Sequence, residues 1–96
     1  MESMDRFAVE AFKARARTAR NVATQRREAA EILVFAHERC EVRGVRQPLL
    51  DNMLRAAERY LEAAAESDAS AAKNDALAEE VRRRGLINVE EAWGKW

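Results

Sequence analysis

Apolar side chains recur every three or four residues along the first half of the chain, the spacing of one face of an α-helix. The segment from Ser3 to Arg43 contains no Gly or Pro, and Asp5 suits the first turn of a helix that starts at Ser3. The predicted buried face consists of Met4, Ala8, Phe12, Ala16, Ala19, Ala23, Ala30, Leu33, His37 and Cys40. Its middle is almost entirely Ala, so a second helix can approach it closely.

A second amphipathic helix follows the helix breakers Gly44 and Pro48. Gly suits the C-terminus of a helix and Pro the first turn of the next one, so one turn is predicted between two long helical segments. The predicted core face of the second segment consists of Leu50, Met53, Leu54, Ala57, Tyr60, Leu61 and Ala64.

The apolar pattern loses its phase between residues 67 and 75, which predicts a short break there. A third helix is expected from Asp75 to Arg84, with one continuous helix as the alternative. Gly85 ends this segment, and the capping-box pattern that starts at Asn88 predicts a last short helix. No internal repeat stands out.

These elements predict an all-α fold: a long antiparallel helical hairpin with short C-terminal helices, forming a small helical bundle in a single domain of residues 1–96. A straight helix over residues 3–43 is about 60 Å long, whereas the radius of gyration of a compact domain of this size is about 13 Å. Either the helix breaks near residues 21–24 or the chain is elongated, and we favour elongation. The thin, Ala-rich core suggests that dimerisation completes the bundle.

The most hydrophobic run is Ile32-Leu33-Val34-Phe35. Four successive residues cover most of a helix's circumference, so this run needs cover from its own chain or from another. Phe35 projects away from the Ala-rich face and is therefore the best candidate for an exposed apolar contact. The alternative is that residues 67–96 cover it.

The chain has 17 basic and 17 acidic side chains, and this balance argues against a nucleic-acid-coated or membrane-surface protein. Four cations nevertheless share one face of the first helix, and Arg15 and Arg26 flank them. These four are Lys13, Arg17, Arg20 and Arg27. Such a row could contact phosphates. We favour internal pairing with the acidic residues of the segment 64–78, which lies opposite in an antiparallel hairpin.

No enzyme signature is evident, and neither a cofactor nor a metal is expected. His37, Cys40 and Glu41 are spaced along one side of a helix, but a closed zinc site usually needs four ligands, mostly Cys and His. Cys40 and His37 also lack the loop or strand turn that supports an oxyanion site. Packing of both residues in the core is the preferred interpretation.

The C-terminal end offers two further candidates. Trp93 is expected to fold back onto the helices, whereas the terminal Trp96 is a candidate anchor for a partner. The cluster Arg82-Arg83-Arg84 suits the C-terminus of a helix, with Glu79 and Glu80 one turn earlier.

The sequence favours a non-catalytic helical protein that binds another protein as an adaptor, assembly factor or inhibitor. A phage-type inhibitor of a larger nucleic-acid-handling machine is one form of this hypothesis. The predicted partner contacts are Arg17, Arg20, Arg27, Phe35 and Trp96. The alternative is a nucleic-acid-binding regulator that uses the basic face of residues 13–27. No run is long enough for a membrane span, and a single Cys suits a reducing compartment, so a cytoplasmic location is expected.

Overall fold

The computed structural model describes residues 3–86, which form two long helices joined by a short turn. Helix α1 spans Ser3–Val42 and helix α2 spans Gln47–Arg84. Gly44 has a positive φ of 77°, a conformation that side chains with a Cβ disfavour. The amides of Gly44 and Val45 donate to the carbonyls of Glu41 and Cys40, both at 3.1 Å, and so close the end of α1. Within residues 3–86, the prediction of an all-α fold with two long helices around one turn is confirmed.

Both helices run without interruption through the segments in which a break was considered. α1 is continuous through residues 21–24, and α2 is continuous through residues 67–75. The predicted break in α2, with a separate third helix from Asp75, is therefore wrong. The apolar phase fades there because polar side chains occupy buried positions: Ser67 and Asn74 are each only 9% exposed. The helix predicted from Asn88 lies outside the described residues.

Nine of the buried residues of the two helices recur every seven positions. None of them is more than 3% exposed: Val9, Ala16, Ala23 and Ala30 in α1, and Leu50, Ala57, Ala64, Ala71 and Ala78 in α2. A seven-residue spacing is typical of helices that pack along a continuous seam. Ala at most of these positions permits close approach of the backbones. The chain therefore does contain a repeat, which is hidden in the sequence because Ala is also common on the exposed faces.

Contacts divide the chain into two compact units. The first, which we call the terminal unit, comprises residues 3–20 and 68–86 of the described chain. The second, the turn unit, comprises residues 21–67. The expectation of one domain over residues 1–96 stays a prediction, and each unit is described by itself below.

The terminal unit has a core of large apolar side chains. Phe12 and Val81 are 5% and 1% exposed, and they cluster with Val9, Leu77 and Ala78. At the end of α2, the amide of Leu86 donates to Oδ1 of Asp5 at 3.1 Å. Asp5 therefore satisfies a backbone donor of the α2 end as well as carrying a charge that favours the start of α1.

Met4 was expected on the buried face but is 66% exposed. The seven-residue spacing explains this difference. Asp5 lies seven residues before Phe12 and four before Val9, so Asp5 rather than Met4 shares their side of the helix. Met4 falls on the opposite side of α1 together with Phe7, which is 75% exposed.

The turn unit buries small side chains and exposes large ones. Its buried apolar residues are Ala23, Ala30, Leu50, Ala57 and Ala64. Three large residues of the predicted core face of α2 are instead exposed: Leu54 at 38%, Tyr60 at 43% and Leu61 at 51%. Leu54 and Leu61 each follow a buried residue, Leu50 and Ala57, by four positions, which directs them beside the packed face rather than into it.

Candidate protein-binding surface

The outward side of α1 in the turn unit carries a stripe of exposed apolar residues. Ile32, Phe35 and Val42 are 67%, 59% and 89% exposed. Together with Glu28 and Arg39 they recur at spacings of four, three, four and three, so all five lie on one side of the helix. We call these five residues the outer stripe. It lies opposite the buried Ala positions of the same helix.

Phe35 and Arg39 interact within the outer stripe. The guanidinium carbon of Arg39 lies 5.5 Å from the centre of the Phe35 ring, within the range of a cation–π interaction. This contact joins residues one helical turn apart and leaves most of the ring accessible. The stripe thus presents Glu28 at one end, two large apolar side chains in the middle and a cation beyond them.

A shallow apolar groove lies beside the outer stripe, between the two helices of the turn unit. Val34 and Phe35 of α1 and Leu61 of α2 line it, with the carboxylates of Glu31 and Glu38 at its edge. Neither carboxylate forms an ion pair with another described residue. We call the outer stripe and this groove together the binding surface.

The predicted basic face does not act as a single row. In the terminal unit, Arg20 forms an ion pair with Asp75 of α2, which confirms the expected internal pairing at this position. Lys13 lies 4.0 Å from Glu10. Arg17 is exposed and forms no ion pair within residues 3–86.

In the turn unit, Arg26 is directed toward α2. It donates hydrogen bonds to the carbonyl oxygen of Ala63 at 2.9 Å and to Oγ of Ser67 at 2.7 Å. These contacts satisfy the buried Ser67 hydroxyl, so Arg26 has a structural role. Arg27 is exposed, and it too interacts with another group of this chain.

The remaining candidates from the sequence are His37, Cys40 and the Arg cluster at residues 82–84. His37 and Cys40 are partly buried on the inner side of α1, and among residues 3–86 no three His, Cys, Asp or Glu side chains are grouped to hold a metal ion. Arg82 pairs with Glu79 at 3.5 Å, and both Arg83 and Arg84 pair with Glu80. These pairings confirm the local ion-pair interpretation of the Arg cluster.

The two terminal Trp residues, Trp93 and Trp96, lie outside the described residues, so the anchor role of Trp96 stays a prediction. Sequence reasoning identified Phe35 but missed its neighbours Arg39, Val42 and Leu61. The spacing of three and four on the side of α1 opposite the Ala face was the available signal for the first two. Leu61 carried no such signal, because it belonged to an apparent core face.

Comparison with protein-family models, with curated proteins and with solved structures gives no significant match. Within residues 3–86, neither helix has an apolar stretch long enough to cross a lipid bilayer.

Proposed function

We propose that this chain is a non-catalytic protein that acts by binding another protein through the binding surface of the turn unit. One observation supports the proposal above all others: in the turn unit the seam is mostly Ala, whereas Ile32, Phe35 and Leu61 are each at least half exposed. Contiguous exposed apolar groups beside polar ones are typical of interaction sites.

The energetic argument concerns the cost of leaving these side chains in water. Fully burying a side chain such as Ile or Phe contributes about 1.5–3 kcal/mol relative to leaving it exposed. Two such side chains on the outer stripe, with Leu61 nearby, provide the apolar centre that protein interfaces use. The charged residues Glu28, Arg39 and Glu31 would form the polar rim around that centre.

An adaptor, an assembly factor and an inhibitor would all use such a surface. Inhibition of a larger nucleic-acid-handling machine, in the manner of phage-encoded inhibitors, is one specific role within this proposal. No cofactor or metal is required, because binding alone produces each of these effects.

A nucleic-acid-binding regulator is the second candidate, supported by exposed Arg17 in the segment 13–27. Two observations weaken it relative to protein binding. Arg20 is paired with Asp75, and Arg26 donates to Ala63 and Ser67. This candidate predicts binding to duplex or single strands that weakens steeply with salt and is lost in Arg17→Glu.

The proposal is tested by quantitative copurification with three tagged proteins: wild type, Phe35→Glu and Phe7→Glu. Phe7 is a matched control, because it is an exposed Phe on α1 that lies in the terminal unit. The expected result is a protein recovered with wild type and with Phe7→Glu but not with Phe35→Glu. The same protein should then bind purified wild-type chain in calorimetry. Equal recovery with all three baits would overturn the proposed surface.

A further inference from the structure

We infer that the outer stripe is occupied by the same stripe of a second copy of this chain, packed antiparallel across a two-fold axis. The inference rests on the proposed function, since it names the partner of the same surface. It requires α1 of the turn unit alone, so all the interacting residues lie on one continuous helix.

The order of residues along the outer stripe makes it complementary to itself. When the axis passes midway between Leu33 and Val34, Ile32 of one copy opposes Phe35 of the other. Glu28 of one copy then opposes Arg39 of the other, so opposite charges meet. The two-fold symmetry doubles each pair, which gives two apolar pairs at the centre and two ion pairs outside them.

The charges select the direction of pairing. A parallel arrangement in register would place Glu28 against Glu28 and Arg39 against Arg39, and like charges in such positions are destabilising. The antiparallel arrangement instead places Glu28 against Arg39 on both sides of the apolar centre. Glu31 of one copy lies on the same flank as Glu38 of the other, so this acidic pair offsets part of that attraction.

The resulting assembly is a four-helix bundle formed by two turn units. It covers Ile32 and Phe35, two of the large side chains that the Ala seam leaves outside. Arg39 can keep its contact with the Phe35 ring of its own copy while it meets Glu28 of the other. Pairing therefore supplies the apolar burial that the turn unit lacks by itself.

Sedimentation equilibrium over the micromolar range tests the inference with two charge-reversal variants, Glu28→Arg and Arg39→Glu. We expect the wild type to sediment as a dimer. The dissociation constant of each variant dimer should rise by about tenfold or more, because two attractive pairs become repulsive. Mixing the two variants should restore dimers, since both opposing pairs are then of opposite charge. The double variant E28R/R39E should dimerise by itself for the same reason.

Glu41→Arg and Arg46→Glu make the same charge changes away from the outer stripe and should leave the dimer unchanged. Circular dichroism checks that every variant keeps its helices. A wild type that stays monomeric overturns the inference, as does a dimer that the single reversals leave intact or that mixing fails to restore. A monomer that still loses its copurifying protein in Phe35→Glu removes only the second-copy inference. A dimer that copurifies the same proteins regardless of Phe35 removes only the proposed function.

Discussion

The terminal unit and the turn unit use similar residues in opposite ways. In the terminal unit, Phe12 is 5% exposed and packs with Val81. In the turn unit, Phe35 is 59% exposed and Ile32 is 67% exposed. Both Phe residues belong to α1, but Phe12 lies on its packed side, whereas Phe35 lies on the outer stripe, opposite the buried Ala residues. The terminal unit therefore has a core of large apolar side chains, whereas large apolar side chains of the outer stripe lie exposed in the turn unit.

The seam residues give the physical reason for the contrast. Leu77 and Val81 of α2 provide bulky side chains around Phe12 in the terminal unit. The corresponding seam of the turn unit holds Ala30, Ala57 and Ala64. Small residues bring helices close together and leave no room between them for large ones, so the large residues of that unit lie beside or outside the seam.

The largest effect is expected for Phe12→Ala, which removes a buried aromatic ring from the terminal unit. Loss of about 3–5 kcal/mol in the free energy of unfolding is expected, measured by guanidinium denaturation at several protein concentrations. This loss should not depend on concentration. Phe35→Ala is the comparison. The loss in its free energy of unfolding should decrease as the protein is diluted, to about 0.5 kcal/mol or less. Similar, concentration-independent losses for both variants would remove the distinction between the units.

A smaller effect is expected for Ala64→Leu, which places a large side chain in the seam of the turn unit. Overpacking should destabilise the chain by about 1–3 kcal/mol, as measured by thermal or chemical denaturation. Ala65→Leu is the matched control, because it makes the same change at an exposed neighbouring position. A stable Ala64→Leu protein would show that the helices of the turn unit are not closely packed.

Arg26→Met tests the hydrogen bonds that Arg26 donates to α2 in the turn unit. Met retains much of the aliphatic side chain but cannot donate to Ala63 or Ser67. Loss of these hydrogen bonds should cost about 1–3 kcal/mol, since Ser67 is left buried without its donor. Arg55→Met, at an exposed position of α2, should change stability little. Equal denaturation midpoints for the two variants would contradict a structural role for Arg26.

The smallest effect is expected for Arg20→Ala in the terminal unit. The ion pair with Asp75 is half exposed, with side chains 51% and 44% accessible, and such pairs contribute about 0.2–1 kcal/mol. Denaturation at low and high salt should show that the difference from wild type decreases as salt is added. Arg17→Ala should show no such difference, and a salt-dependent loss in that variant would mean that Arg17 has an ionic partner.

Local sequence patterns were sufficient to determine that two long helical segments flank one turn, although they also suggested a break in α2 that the structure does not have. Gly44 provides the positive φ that ends α1, and Pro48 lies in the first turn of α2. The exposure of Phe35 was also predicted, because its direction from the helix axis follows from its position relative to the Ala face. These properties depend on residues near one another in the chain, where helical geometry alone fixes the arrangement.

Tertiary structure decided which faces are covered. Ser67 suggested a break in α2, yet it is buried within a continuous helix because Arg26, far away in sequence, donates to it. Leu54 and Leu61 looked like core residues, but the Ala seam brings α1 against the adjacent positions and leaves both of them accessible. A periodic pattern gives the direction of each side chain on its own helix, but only the packed neighbour determines whether that direction leads into a core or toward a partner.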